Sequence, residues 1–163
     1  MITKRKKLLI SLLLTVMASA LLMACSSSAK LPHLASDAVI LAFGDSLTFG
    51  TGATLTESYP AILERLVGRR VVNEGIPGEI TGEGLVRLQE ALKREKPALL
   101  ILCHGANDLL RGLDKRQAAA KLRAMIRLAR EKGTAVVLIA VPFLGINLSP
   151  DPLYLEIAIE KGA

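Results

Sequence analysis

From residue 38 onward, unbroken apolar runs of strand length alternate with helical patterns. Ala38 to Phe43 is the first run, bounded by Asp37 and Gly44. Arg70 to Asn73 is short and β-branched, and Ala98 to Cys103 and Thr134 to Val141 are again apolar. Such runs suit strands buried on both faces of a parallel sheet. Between them, Pro60 can open a helix carrying Ile62, Leu63, Leu66 and Val67. Leu85, Leu88 and Leu92 mark one face of a second helix, and Leu122, Ile126 and Ala129 one face of a third. The outer positions of that third helix, Lys121, Arg123, Arg127 and Arg130, form a solvated basic face. Asp151 to Glu160 begins a fourth. The order β-α-β-α-β-α-β-α predicts an α/β domain of three layers, α/β/α, around a parallel sheet.

Composition adds limits. The 163 residues are 51% hydrophobic but only 3% aromatic, and 22% are charged, which excludes wholesale disorder. Two cysteines cannot build a disulfide scaffold or a four-cysteine zinc site. The net charge of +6 suggests nucleic acid, until its location is read. Lys4, Arg5, Lys6 and Lys7 sit in a first segment that has no acid; without them 17 basic groups face 15 acidic ones. A nucleic-acid partner is therefore not expected.

That first segment has the layout of a secretory signal: a basic start, then a 17-residue apolar run from Leu8 to Ala24. The run ends Leu22-Met23-Ala24-Cys25, which resembles the lipobox of bacterial lipoproteins. The resemblance implies a signal peptide over 1–24 and lipidation of Cys25 as the first mature residue. It also implies a tether to the membrane, with acyl chains supplying about 0.8 kcal/mol per buried methylene. An uncleaved membrane helix with an incidental cysteine is the alternative. Ser26, not Asp, follows the cysteine, which by the same resemblance places the protein on the periplasmic face of the outer membrane in a Gram-negative cell. Residues 25–37 are then a short polar linker, in which His33 has no evident role, and 38–163 form the domain.

Three motifs follow three successive strands: Gly44-Asp45-Ser46-Leu47, Asn73-Glu74-Gly75-Ile76-Pro77-Gly78-Glu79 and Gly105-Ala106-Asn107-Asp108. Singly, each is ordinary turn chemistry. Together they converge on one crevice, because sites in open parallel sheets form outside the carboxyl ends of the strands. The three blocks in this order resemble the SGNH hydrolases, also called GDSL esterases, and within them the bacterial arylesterase and acyl-CoA thioesterase/lysophospholipase group. The resemblance implies a flavodoxin-like α/β/α fold and hydrolysis of acyl or aryl esters, thioesters or lysophospholipids, with no metal or organic cofactor. A two-component receiver shares the layout, but its acidic pair and late Lys are not found, and a secretion signal argues against it.

Acyl transfer needs a nucleophile, a base and donors to the oxyanion. By the resemblance Ser46 is the nucleophile, and the amides of Ser46 and Gly78 and the carboxamide of Asn107 are the donors. Asp45 and Asp108 are expected to brace loops, and Thr81 to cap the next helix; Ile80 stands where the family often has a hydroxyl residue. The loop Pro142 to Pro150, with Phe143, Leu144 and Ile146, either borders an acyl pocket or packs on the core. The family's base is the His of an Asp-x-x-His block after a fifth strand. This text stops at Lys161-Gly162-Ala163 without it, and its two histidines are His33 and His104. His104, at a strand end, is expected to pack or to hydrogen-bond, and Cys103 to be a buried strand residue. The expectation is a C-terminally incomplete domain, poorly soluble and essentially without esterase turnover, or a pseudo-catalytic lipoprotein that binds acyl or glycan ligands.

Overall fold

The computed structural model describes residues 31–142 and 149–161. The expected signal segment, Cys25, and Phe143, Leu144 and Ile146 of the long loop lie outside them. Four strands form one parallel sheet among the described residues: β1 (Ile40–Gly44), β2 (Val71–Gly75), β3 (Leu99–Cys103) and β4 (Ala135–Leu138), in spatial order β2-β1-β3-β4. The helices are α1 (Ser46–Phe49), α2 (Tyr59–Val67), α3 (Thr81–Glu95), α4 (Ala106–Leu110), α5 (Lys115–Glu131) and α6 (Pro152–Lys161). None of them is long and apolar enough to cross a membrane.

The unbroken apolar runs are explained by two buried faces. Leu41, Phe43, Leu100 and Leu102 point to one core, under Leu88 and Leu92 of α3, Leu122, Met125 and Ile126 of α5, and Tyr154 and Ile157 of α6. Ile40, Ala42, Leu99 and Ile101 point to the other, against Tyr59, Leu63 and Val67 of α2. Alternate residues thus serve opposite faces, the period-two geometry of a strand. Burying one such Leu or Ile contributes roughly 1.5–3 kcal/mol.

The expected boundaries shift at several places. β1 begins at Ile40 rather than Ala38, β2 runs on to Gly75, and β4 stops at Leu138 rather than Val141. Beyond β4 the Ile139 amide still donates to Leu102 at 2.8 Å, so the run continues extended without a full ladder. Two short helices, α1 and α4, were not predicted, because four and five residues are too few to show a helical period. Thr81 is the first residue of α3 and not its cap; the cap position belongs to Ile80, whose amide donates to Glu83 Oε2 at 3.2 Å. The Thr81 hydroxyl is free for another partner because that glutamate closes the helix end from within.

Candidate functional site

The register of the sheet brings the three motifs to one end. Gly44 of β1 lies opposite Gly75 of β2 and Cys103 of β3. All three strands end on this line, and one motif lies at each of these ends. The Ile76 amide donates to the Gly44 carbonyl at 3.0 Å, tying the second motif to the first. A Cβ on Gly44 would stand 2.0 Å from the Cys103 carbonyl oxygen and 2.3 Å from Thr48 Oγ1. Only glycine lets β1, β3 and α1 close so tightly behind Ser46.

Ser46 opens α1 and is half-buried. Asp45 caps that helix: its Oδ1 accepts the Leu47 amide at 3.2 Å. Asp45 is fully buried, and among the described residues its Oδ2 has no hydrogen-bond partner. Burial pushes its carboxyl above the ordinary 3.8, with the Leu47 hydrogen bond working the other way. Behind the helix, Thr48 Oγ1 and Tyr59 OH lie 3.2 Å apart, and burial pushes the Tyr59 phenol up to about 12.

Gly78 has φ +81°, a conformation that side chains rarely adopt, and its carbonyl accepts from Arg111 Nη2 at 2.7 Å. The amides of Ser46 and Gly78 donate to no protein group among the described residues. Asn107 lies in α4, and its Nδ2 donates to the Glu79 carbonyl at 3.0 Å. A carboxamide nitrogen has two hydrogens. One is spent on Glu79, beside Gly78; the other has no partner among the described residues. Asp108 is buried and braces the same loop from α4: Oδ2 accepts the Thr81 amide at 2.8 Å and Oδ1 the Thr81 hydroxyl at 2.6 Å. Ser46, Gly78, Asn107, Asp45 and Asp108 therefore gather at one end of one sheet.

His104, one residue past β3, is fully buried. Its Nδ1 accepts the Gly105 amide at 3.0 Å, so the ring proton sits on Nε2, 3.0 Å from Glu79 Oε2. The ring stacks on Phe43 at 6.0 Å, and the His104 carbonyl accepts from Tyr154 OH at 2.8 Å. Both ring nitrogens are occupied, and neither is offered to Ser46. His33 is exposed in the segment before β1. Cys103 is buried, and burial lifts its thiol to about 11, far from a reactive thiolate. Among the described residues no group of three His, Cys, Asp or Glu side chains could hold a metal ion.

Two residues of this end were given no role in the sequence reading: Glu79, quoted only as the end of the second motif, and Arg87. Glu79 is nearly buried, and Arg87 holds it with Nε at 2.7 Å and Nη2 at 2.6 Å. The signal was present in α3: Gly84, Leu88 and Ala91 are among its buried positions, and Arg87 falls between them at helical spacing. An arginine on a buried face needs an acidic partner.

A parallel α/β domain whose first three strand ends carry a hydroxyl, two unused amides and a half-used carboxamide defines a class of site. Residues 42–161 match the GDSL-like Lipase/Acylhydrolase family, and the chain belongs to it. It is 35% identical over 147 residues to the Esterase TesA of Pseudomonas aeruginosa, covering 86% of this chain and 71% of that protein. It is 36% identical over 107 residues to the Arylesterase of Vibrio mimicus, covering 63% of this chain but only 54% of the relative. The crystal structure of AlinE4, an SGNH-hydrolase family esterase, superposes with a TM-score of 0.71 at 33% identity, over 80% of this chain and 76% of that one.

Proposed function

We propose that this domain is a serine ester hydrolase working through an acyl-enzyme on Ser46. The Ser46 oxygen bonds to the substrate carbonyl carbon, and the ester C–O bond breaks. The alcohol leaves with the serine proton, and water then releases the acid. The amides of Ser46 and Gly78 and the second Nδ2 hydrogen of Asn107 receive the oxyanion. One such donor accounts for about 2.7–4 kcal/mol of barrier in a studied protease. The observation that carries this reading is the Asn107 carboxamide, held by the Glu79 carbonyl with one N–H left over beside Gly78. Relatives named esterase and arylesterase support small acyl and aryl esters as substrates; thioesters and lysophospholipids belong to the same acyl chemistry. The lipobox-like Cys25 and the apolar run before it support a lipid anchor in the cell envelope, on the periplasmic face of the outer membrane if the cell is Gram-negative.

A second reading, acyl binding without turnover, is favoured by one observation: His104 is spent on Glu79 and Gly105. The test is covalent capture by a fluorophosphonate. Capture by the wild-type chain that is lost in Ser46→Ala supports an activated serine. Saturable binding of an acyl ligand with no capture supports the second reading and overturns the first.

A further inference from the structure

We infer that Glu79 is a positioning residue for the oxyanion donors, its carboxylate anchoring the loop that carries Gly78 and aims Asn107. This deepens the ester-hydrolase reading and rests on it.

The loop from Ile76 to Thr81 is exposed on its outer side at Ile76 and Pro77. Its backbone is gripped residue by residue. Gly78 gives its carbonyl to Arg111, Glu79 gives its carbonyl to Asn107, and Thr81 gives its amide to Asp108. These bonds fix the loop against α4. Only the Ile76 amide, on the Gly44 carbonyl of β1, ties its start to the sheet, and the Glu79 side chain supplies a second anchor beside the donors. Its side chain is 5% exposed and turns inward, where it meets two cationic or donor groups from different elements. Arg87 of α3 takes both carboxylate oxygens, and His104, one residue past β3, donates to Oε2 at 3.0 Å.

The partners are themselves immobilised. Arg87 also reaches Glu74 Oε2 at 2.9 Å and the Glu74 carbonyl at 3.1 Å, both in β2, and its guanidinium lies 4.0 Å over the Phe43 ring of β1. The carboxylate is thereby referenced to β1, β2, β3 and α3 together. Burial alone would raise the Glu79 carboxyl, but the hydrogen bonds from Arg87 and His104 and the Arg87 charge more than offset it. It stays ionised, and a charge-assisted bidentate pair holds geometry more tightly than a neutral contact. The same residue presents both ends of the device: an anchored carboxylate, and a main-chain carbonyl that orients Asn107 Nδ2. A displacement of about 1 Å at a reacting centre can cost about 10²-fold in rate.

The test uses the full chain in detergent micelles, isotopically labelled for nuclear magnetic resonance. Two readouts are taken on wild type, Glu79→Ala and Glu79→Gln, with Glu160→Gln as a remote control. The first is the pair of Asn107 carboxamide signals; the second is the rate of fluorophosphonate capture by Ser46. Glu79→Ala is expected to shift or broaden the Asn107 signals and to slow capture by about tenfold or more. Glu79→Gln, which keeps an acceptor for His104, is expected to fall between Glu79→Ala and wild type on both readouts. Should Glu79→Ala fail to fold, Glu79→Gln against wild type decides. The inference is overturned if the variants lower the unfolding midpoint while Asn107 signals and capture stay at control values. If wild type is not captured at all, the ester-hydrolase reading fails separately, and the Asn107 signals still decide whether Glu79 positions that carboxamide.

Discussion

At the scale of single residues, the site is built from groups whose neighbours leave one function unused. Asn107 has a spare hydrogen because Glu79 takes only one. Asp45 shows the cost of such an arrangement: one carboxylate oxygen caps α1 and the other is buried without a partner among the described residues. Its folded-state pKa lies above the ordinary 3.8, so the folded chain holds this proton more tightly than the unfolded one does. Stability from this group is therefore complete below 3.8 and is lost as pH rises through the raised value. Glu79 acts with the opposite sign: its pKa is lowered, so its contribution is present above 4.5 and lost as pH falls through the folded value. Urea unfolding of wild type and Asp45→Asn, from about pH 3 to about pH 7, separates the two. The gap between wild type and Asp45→Asn is expected to move against wild type as pH rises; a constant gap would contradict the assignment.

At the scale of elements, short segments do what long ones cannot. α1 and α4 are each about one turn, and they exist because Asp45 caps one and Asp108 ties the other to α3. Leu88, Leu122 and the strand runs were legible beforehand because burial repeats at the helical or strand period. Thr81 shows the limit: a hydroxyl before an apolar helix suggests a cap, yet its partner is 27 residues away on α4. Removing that hydroxyl leaves a buried carboxylate oxygen unsatisfied. Thr81→Val is expected to destabilise the domain by about 2 kcal/mol, measured by urea unfolding, with the native circular dichroism retained.

At the scale of the molecule, the two faces of the sheet are covered unequally. Three helices seal one, while α2 covers the other and leaves a groove of about 400 Å³ lined by Leu34, Ile40, Leu63, Leu99, Ile101 and Val137. β4 pairs with β3 alone among the described residues. An apolar strand whose outer edge has no partner among the described residues invites pairing between chains. The chain is expected to sediment as assemblies that grow with concentration, and Val137→Lys, which puts a charge on the groove face of that edge strand, is expected to reduce them. Sedimentation velocity of the two proteins at matched concentrations checks this; identical profiles would contradict it.

The hydroxyl, glycine and carboxamide were picked out by the family resemblance; local pattern was enough for the alternating strands and helices and for the strand-end position of the three motifs. Each of these depends on periodicity or on neighbours within a few residues, which a linear text preserves. The ties of Glu79 to Arg87 and His104, of Asp108 to Thr81, and of Arg111 to Gly78 span 8 to 33 residues. Only the folded chain decided them, because a hydrogen bond selects its partner by distance and direction in space, and neither is written in the order of residues.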